Sequence, residues 1–464
     1  MSSFESLSVA LSSLYAQRRG LDVTGQNIAN ANTDGYSRQR IELTAVGAPA
    51  IPAVWSTWSG AGSGVSVDGL TRLRDAFLET RGRDTQASLS QFTTASQTLN
   101  QVQQLIPEPG TNGFQSILSN LWSGFADLAN NPGDSSARTQ LLQRAGAVSD
   151  WLNTTQSSMA SQWSAMHDQL SALVSEVNSA THGVADLNQA IQSATLSGLP
   201  ANELSDQRDL LAMKLANLVG ASSTVGTDGM LSVQLQGSSL VRGNVAQDIA
   251  VNSIPAGLLD VTAGTQVQIT LASGGQPLPV ATGQAGAILD SLNNVLPGYS
   301  ARLDGVAAKL ANAVNTQQTA GYDLAGNPGI PLFTGTTAGT IKVAITDPKL
   351  LAASGVAGAA NLDGSNATAL SNLANQVGGP DEVYQKFVVD LGVATQTAAR
   401  RVDSQTAISN QINAARESQA GVNIDEEMTN MISFQRGYEA AGRLMTAVDS
   451  TLDTLINHTG LVGR

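Results

Sequence analysis

The sequence predicts a mainly α protein with an inserted β module. Its N- and C-terminal parts form a long antiparallel helical bundle or coiled coil. A small β domain interrupts the middle, and the terminal helices are expected to be disordered in the monomer. Three observations carry this reading. From Met159 to Ile191, apolar residues recur at steps of four and three without a break. Near the C-terminal end, two apolar series each repeat every seven residues, three apart. Over 221–283 the chain turns rich in Gly, Ser, Thr, Val and Gln, and its pattern shifts to period two.

Bulk properties narrow the classes. A chain of 464 residues has room for two to four domains at ~100–200 residues each. Hydrophobic residues make up 42% but aromatics only 4%, so the cores rely on Ala, Leu, Val and Ile. The net charge is -13 and the pI about 4.6, which argues against nucleic acid and anionic membrane as partners. With no cysteine, disulfides, zinc thiolates and Cys nucleophiles are excluded. Glu5 precedes the first apolar positions, and residues 1–30 lack an apolar run of signal-peptide length, so no cleaved secretory signal is expected. No segment approaches the ~20 apolar residues of a membrane span.

The elements follow in order. Phe4, Leu7, Leu11, Leu14, Leu21 and Ile28 give the first helix a narrow apolar stripe, with Gly20 and Gly25 as weak points. NIANANTDGYSRQ comes next. Its Asp34-Gly35 pair is a turn signal, because Asp bonds its own backbone and Gly takes positive φ. Gln39, Ile41 and Leu43 then alternate with charged residues as in a strand. Residues 45–72 read as an extended linker. Helical stripes fill 73–220, broken at PEPG (107–110) and NNPGD (130–134). The longest implies a helix of about 40 residues, ~60 Å long. LSVQL (231–235) and VQITL (267–271) read as strands, and GTDG (226–229) as a hairpin turn. Helix returns over 285–318, followed by a loop to 333, a strand at 340–346 and weak helices to 376. From 380 the chain is helical. Ile424, Met431, Tyr438, Met445 and Leu452 form one heptad series; Phe434, Ala441, Val448 and Leu455 form the other, with Glu427 its polar exception. Each terminal seam needs a partner, the other end of the same chain being the simplest.

Nothing in the sequence carries reaction chemistry. His167, His182 and His458 are isolated, and neither HExxH nor GxSxG occurs. Asp206, Arg208 and Asp209 read as helix-face ion pairs. Asp425, Glu426 and Glu427 read as anions favoured in a first helical turn. The Gly-rich stretches at 60–64 and 355–364 lack a phosphate-binding signature. No catalytic, cofactor-binding or metal-binding residue is assigned, no cofactor is expected, and the chain is not read as an enzyme.

An apolar helix followed by NIANANTDGYSRQ resembles the N-terminal signature shared by bacterial flagellar axial proteins of rod, hook and hook-associated type. ANELSDQRDLLAMKLANLVG (201–220), AVNTQQTAGYDLAGNPGIPLF (313–333), DEVYQKFVVDLG (381–392) and SQAGVNIDEEMTNMISFQRGYEAAGRLMTAVDSTLDTLIN (418–457) narrow the resemblance to the hook–filament junction family. The resemblance implies export through the flagellar type III apparatus, with the chain transiently cytoplasmic and then extracellular. It implies a ring of subunits on the distal hook, with the hook protein, the second hook-associated protein and a cytoplasmic export chaperone as further partners. The inner tube layer falls to 1–44 with 418–464. A helical domain falls to 73–220 with 284–319 and 348–417, and an outer β-rich module to 221–283 with 320–347. N-terminal assembly residues are then Leu7, Leu14, Leu21, Ile28, Asn27, Asn30, Asn32, Gly35 and Tyr36. Ile424, Met431, Phe434, Tyr438, Met445, Val448, Leu452 and Leu455 serve assembly and chaperone binding. The chain is short for the family, so its outermost variable domain is expected to be reduced or lost. The rival readings are a hook or rod subunit, a secreted cell-wall hydrolase, which the scattered Asp228, Asp248 and Asp260 do not support, and a free coiled-coil effector.

Overall fold

The computed structural model describes residues 3–47, 62–252, 255–261, 265–358 and 362–458. Its spine is α4 (Ser135–Leu196), 62 residues and about 90 Å long. Asp134 starts it by accepting from the backbone N–H groups of Ser136 and Ala137, which also hold its carboxyl below the usual range. The helix begins well before Met159 because Leu141, Ala145, Val148 and Leu152 extend the same buried stripe upstream. α3 (Phe114–Asn130) and α5 (Asn202–Val219) flank α4 across short turns. α2 (Ala76–Leu105) lies against α9 (Pro380–Ala420), antiparallel, with Glu79 facing Arg416 and Gln86 facing Ser409.

One contiguous core joins these helices to α6 (Gly283–Asp290) and α7 (Leu296–Ala320). A π turn at Ser291–Val295 connects α6 and α7, and the buried Trp163 donates its indole N–H to Leu292 O within it at 3.0 Å. Phe114 packs between Trp151 and Tyr384, with centroids 4.6 and 4.9 Å away.

The β structure is small and antiparallel. β3 (Ser222–Val225), β4 (Leu231–Leu235), β5 (Ser238–Arg242) and β6 (Val245–Ala246) form one sheet in chain order. The GTDG turn joins β3 to β4, with Gly229 at φ 76°. β7 (Ile249–Val251), β8 (Ile269–Leu271) and β9 (Pro277–Leu278) form a second. Two asparagines of α4 hold these sheets. Asn178 bonds both backbone groups of Ile249. Asn188, fully buried, donates to Leu231 O and Gly243 O and accepts from Leu231 N and Arg208.

Several boundaries differ from the sequence reading. β1 (Gln39–Val46) pairs antiparallel with β2 (Gly64–Arg72), so the second half of the supposed linker is a strand. Its polar, Gly-containing sequence hid it, because neither face is deeply buried. Residues 48–61 lie outside the described set. The strand near 340 shrinks to β11 (Lys342–Val343), paired with β10 (Phe333–Thr334). This hairpin does not join the β module. Asn153, 25 residues and about 40 Å along α4 from Asn178, donates to Ile341 O, and Asn315 of α7 bonds both backbone groups of Phe333. The weak helices over 348–376 are α8 (Ser365–Ser371) flanked by 3₁₀ turns.

Asn188→Ala strips four hydrogen bonds and leaves buried partners unsatisfied. It is expected to destabilise the fold by about 2–4 kcal/mol, read as a lowered denaturant midpoint, with the Leu231 amide losing its exchange protection first.

Candidate assembly site

α1 (Ser3–Ala29) and α10 (Ile424–Asp453) run antiparallel against each other, as the terminal seams require. Asn27 meets Glu427, Gly20 meets Phe434 and Gln17 meets Gly437. A Cβ on Gly20 would lie 2.6 Å from the Phe434 ring, so the missing side chain is the notch that seats the phenyl. The buried face of α1 is Ala10, Ala16, Val23, Thr24 and Asn27, narrower and smaller than the expected leucine stripe. Leu7, Leu14, Leu21 and Ile28 flank this face and are only half-buried. On α10, Ala441 and Val448 are buried and Met431, Phe434, Met445 and Leu452 are half-buried. Ile424, Tyr438 and Leu455 remain exposed.

The turn after α1 folds by its own polar groups. Asn30 donates its amide to Gln26 O, Thr33 N–H bonds Asn30 O, and Tyr36 N–H bonds Thr33 O. Gly35 has φ 78°, and a Cβ there would meet Leu210 of α5 at 2.4 Å. Asn32 is exposed and joins none of these bonds.

Asn27 is the hub. It is 1% exposed, and its amide satisfies four partners. Oδ1 accepts from Tyr36 OH at 2.8 Å and Gln39 N–H at 3.0 Å; Nδ2 donates to Gln39 O at 2.9 Å and Glu427 Oε2 at 3.0 Å. Glu427, 2% exposed, is held on its other oxygen by Arg38 at 2.7 Å, and Arg38 also reaches the exposed Glu426. The Arg38 N–H bonds Ala420 O at the end of α9. Thus α1, β1, α9 and α10 meet within a few residues.

A second run of charges fastens this corner to the bundle. Ser37 donates its hydroxyl and backbone N–H to Asp206 of α5. Arg72 of β2 bridges Asp206 and Asp209 at 2.9 and 2.8 Å. Burial opposes its charge, yet Asp209 and Asp206 outweigh that and hold its pKa above the ordinary value. Arg74 also bonds Asp209, and Glu79 of α2 pairs with Arg416 of α9 at 2.9 Å. Of the ion pairs expected of SDQRD, those of Asp206 and Asp209 are present, made to Arg72 of β2 and Arg74 in the loop after it, while Arg208 instead bonds Asn188 and Gly229 O. Glu427 is an ion-pair partner rather than only a helix-end anion, while Asn423 does the capping. Ser37, Arg38, Gln39 and Arg72 are joint residues that sequence reasoning missed. The one available signal was Glu427, a carboxylate in an apolar heptad position.

Among the described residues, no group of three or more His, Asp or Glu could hold a metal ion, and no helix is long and apolar enough to cross a membrane.

Residues 99–333 match the family model for the flagellar hook-associated protein FlgK helical domain. Flagellar hook-associated protein 1 of Bacillus subtilis (strain 168) is 32% identical over 506 aligned positions, covering all of both chains. This chain belongs to the flagellar hook-associated protein 1 family. Members from Salmonella typhimurium and Escherichia coli K12 are each 24% identical over 97% of this chain and 98% of theirs. The flagellar hook junction protein FlgK from Burkholderia pseudomallei has the same fold over 73% of this chain and all of its own, with a TM-score of 0.65 at 18% identity. The ends match wider flagellar families: 7–36 the flagella basal body rod protein and 407–458 the flagellar basal body rod FlgEFG protein C-terminal. These two segments hold α1 with the Asn-rich turn and α10 with the end of α9, so the hook-associated fold carries rod-type ends on its joint.

Gly35→Val is expected to cost about 2–4 kcal/mol at the joint, from positive φ and overpacking on Leu210. Leu210→Ala should recover only the packing share, as measured by thermal unfolding. Burial, with Asp206, Glu203 and Glu427 nearby, pushes the Tyr36 phenol from 10.0 up to about 12. A raised folded-state pKa means that the neutral phenol's contribution is complete below pH 10 and lost as pH rises towards 12. Joint protection measured against pH should fall in that window for the native chain and lose this step in Tyr36→Phe.

Proposed function

We propose that this chain, a structural protein of the flagellar hook–filament junction by family, works as the adaptor between hook and filament. The observation that carries this is the joint: rod-type terminal helices pair with each other and are fastened by buried ion pairs to a rigid helical domain. The pair, 1–44 with 418–464, forms the inner layer of the tube. The bundle forms the next layer outward, and the β3–β9 module faces away. The hairpin β1–β2 and the Asn-rich turn redirect the chain between the two layers.

In this reading the chain leaves the cytoplasm through the flagellar type III apparatus and adds as a ring to the distal hook. The second hook-associated protein then adds to it. Leu7, Leu14, Leu21 and Ile28, half-exposed beside the intrachain seam, are the natural contacts to neighbouring subunits, together with Ile424, Met431, Tyr438, Met445 and Leu455. An export chaperone covers the C-terminal set before assembly. The role is structural, with no catalysis.

Deleting the gene in the source bacterium tests this. Completed hooks without filaments, with flagellin shed into the medium, are expected; intact filaments would overturn the reading. A two-helix pair with one face open is marginal in water. In the free chain the pair is therefore expected to open often without losing its register, so that amide exchange over about 1–40 and 420–464 is much faster than in the bundle, though still measurable at the joint; protection at the ends of a verified monomer equal to the bundle's would contradict it.

A further inference from the structure

Apart from the Gly20 notch under Phe434, the seam between α1 and α10 is built from small or repeating residues, which specify register weakly. Ala10, Ala16, Gly20 and Thr24 on one side face Phe434, Ala441 and Val448 on the other. A heptad slip would keep mostly small or apolar residues facing across the seam, at the loss of the Phe434 seat. Only one seam position carries a charge, and that charge is buried and fully partnered.

The partner is pre-oriented. Gln39 donates its N–H to Asn27 Oδ1 and accepts Asn27 Nδ2 on its own carbonyl, so backbone on both sides fixes which way the amide points. Tyr36 OH adds a second donor to Oδ1. The remaining N–H of Asn27 can reach only an acceptor, and the acceptor present is Glu427 Oε2. Arg38, held by its own N–H to Ala420 O, closes on Glu427 Oε1. A slip of seven residues in either direction takes Glu427 out of reach of Asn27 and Arg38 and strands its carboxylate against apolar surface.

We propose that Glu427 is the register-determining residue of the terminal helix pair, and that it selects one alignment because Asn27 presents a fixed donor that only an acceptor at position 427 can meet. A buried polar residue in a helical seam sets register in this way at some cost in raw pairing strength. The inference rests on reading the pair as the assembly element. Its test reads alignment within the chain itself, so normal filaments in the deletion strain would refute the functional reading without changing the result here.

The absence of native cysteine makes the test direct. Thr24 and Asn430 line one small cavity with Gly20 and Phe434, which places them opposite each other in the native register. Thr24→Cys with Asn430→Cys reports that register in the purified full chain under mild oxidation. Gln17→Cys with Asn430→Cys reports a slip of one heptad. With Glu427 present, only the first pair should close. With Glu427→Leu the helices should still pair, but the slipped product should appear, shifting the ratio by on the order of tenfold. Glu427→Gln, which keeps an acceptor for Asn27, should retain mostly the native product. The exchange Arg38→Glu with Glu427→Arg should behave like Glu427→Leu, because the fixed Asn27 amide then faces a donor. Four outcomes overturn the proposal: no native-register product in the parent chain; native product alone in Glu427→Leu; loss of both products in that variant while circular dichroism shows the bundle intact; or full rescue by the exchanged pair.

Discussion

The joining of the two chain ends to each other and to the bundle depends on the buried contact of Glu427 with Asn27 and Arg38. A carboxylate withdrawn from water is tolerated only with an opposite charge and a full set of hydrogen bonds. Both are supplied by the stretch NIANANTDGYSRQ at the end of α1 and just beyond it, which is why that stretch is so rich in amide, hydroxyl and guanidinium groups. Removing any one of these partners leaves the others buried and unmatched, so the corner acts as a unit. It also links sequence positions 400 apart, which makes the two chain ends a single structural element.

A second constraint is the length of α4. At about 90 Å it outruns any single layer of the fold, and different modules dock at different stations along it. Asn153 receives the β10–β11 hairpin, Asn178 the second sheet and Asn188 the first. Each uses the same device: a side-chain amide bonded to backbone at or beside the end of a strand. The joint is fastened close to this last station, through Asp206 and Asp209 of α5. Force applied to the terminal pair therefore passes into the bundle through ion pairs and strands rather than through a flexible linker.

Much of this was legible in the sequence, where packing follows periodicity. The α4 stripe, the LSVQL strand, the GTDG turn and the helical end segments are all where residue spacing places them. The family was legible too, because NIANANTDGYSRQ and the C-terminal segment are long and specific. What spacing could not show was which side of α1 faces its partner. The larger Leu7–Leu14–Leu21 stripe was the obvious choice, yet the intrachain contact uses alanines, Gly20 and Asn27, since close helix approach favours small residues. β2 was hidden because its residues are half-buried on both faces, unlike those of β1, and so leave no alternation to read. Arg38 and Arg72 look like ordinary surface charges in one dimension; only the fold brings them to Glu427 and Asp206.

The central claim is that one chain's α1 and α10 form a single inner element, locked by the joint to its own bundle. Electron cryomicroscopy of isolated hook–filament particles tests it most directly. Density is expected in which α1 and α10 of the same subunit pair antiparallel along the inner wall, with Glu427 against Asn27 and the bundle outside them. Terminal helices paired only between different subunits, or lying outside the bundle, would contradict it.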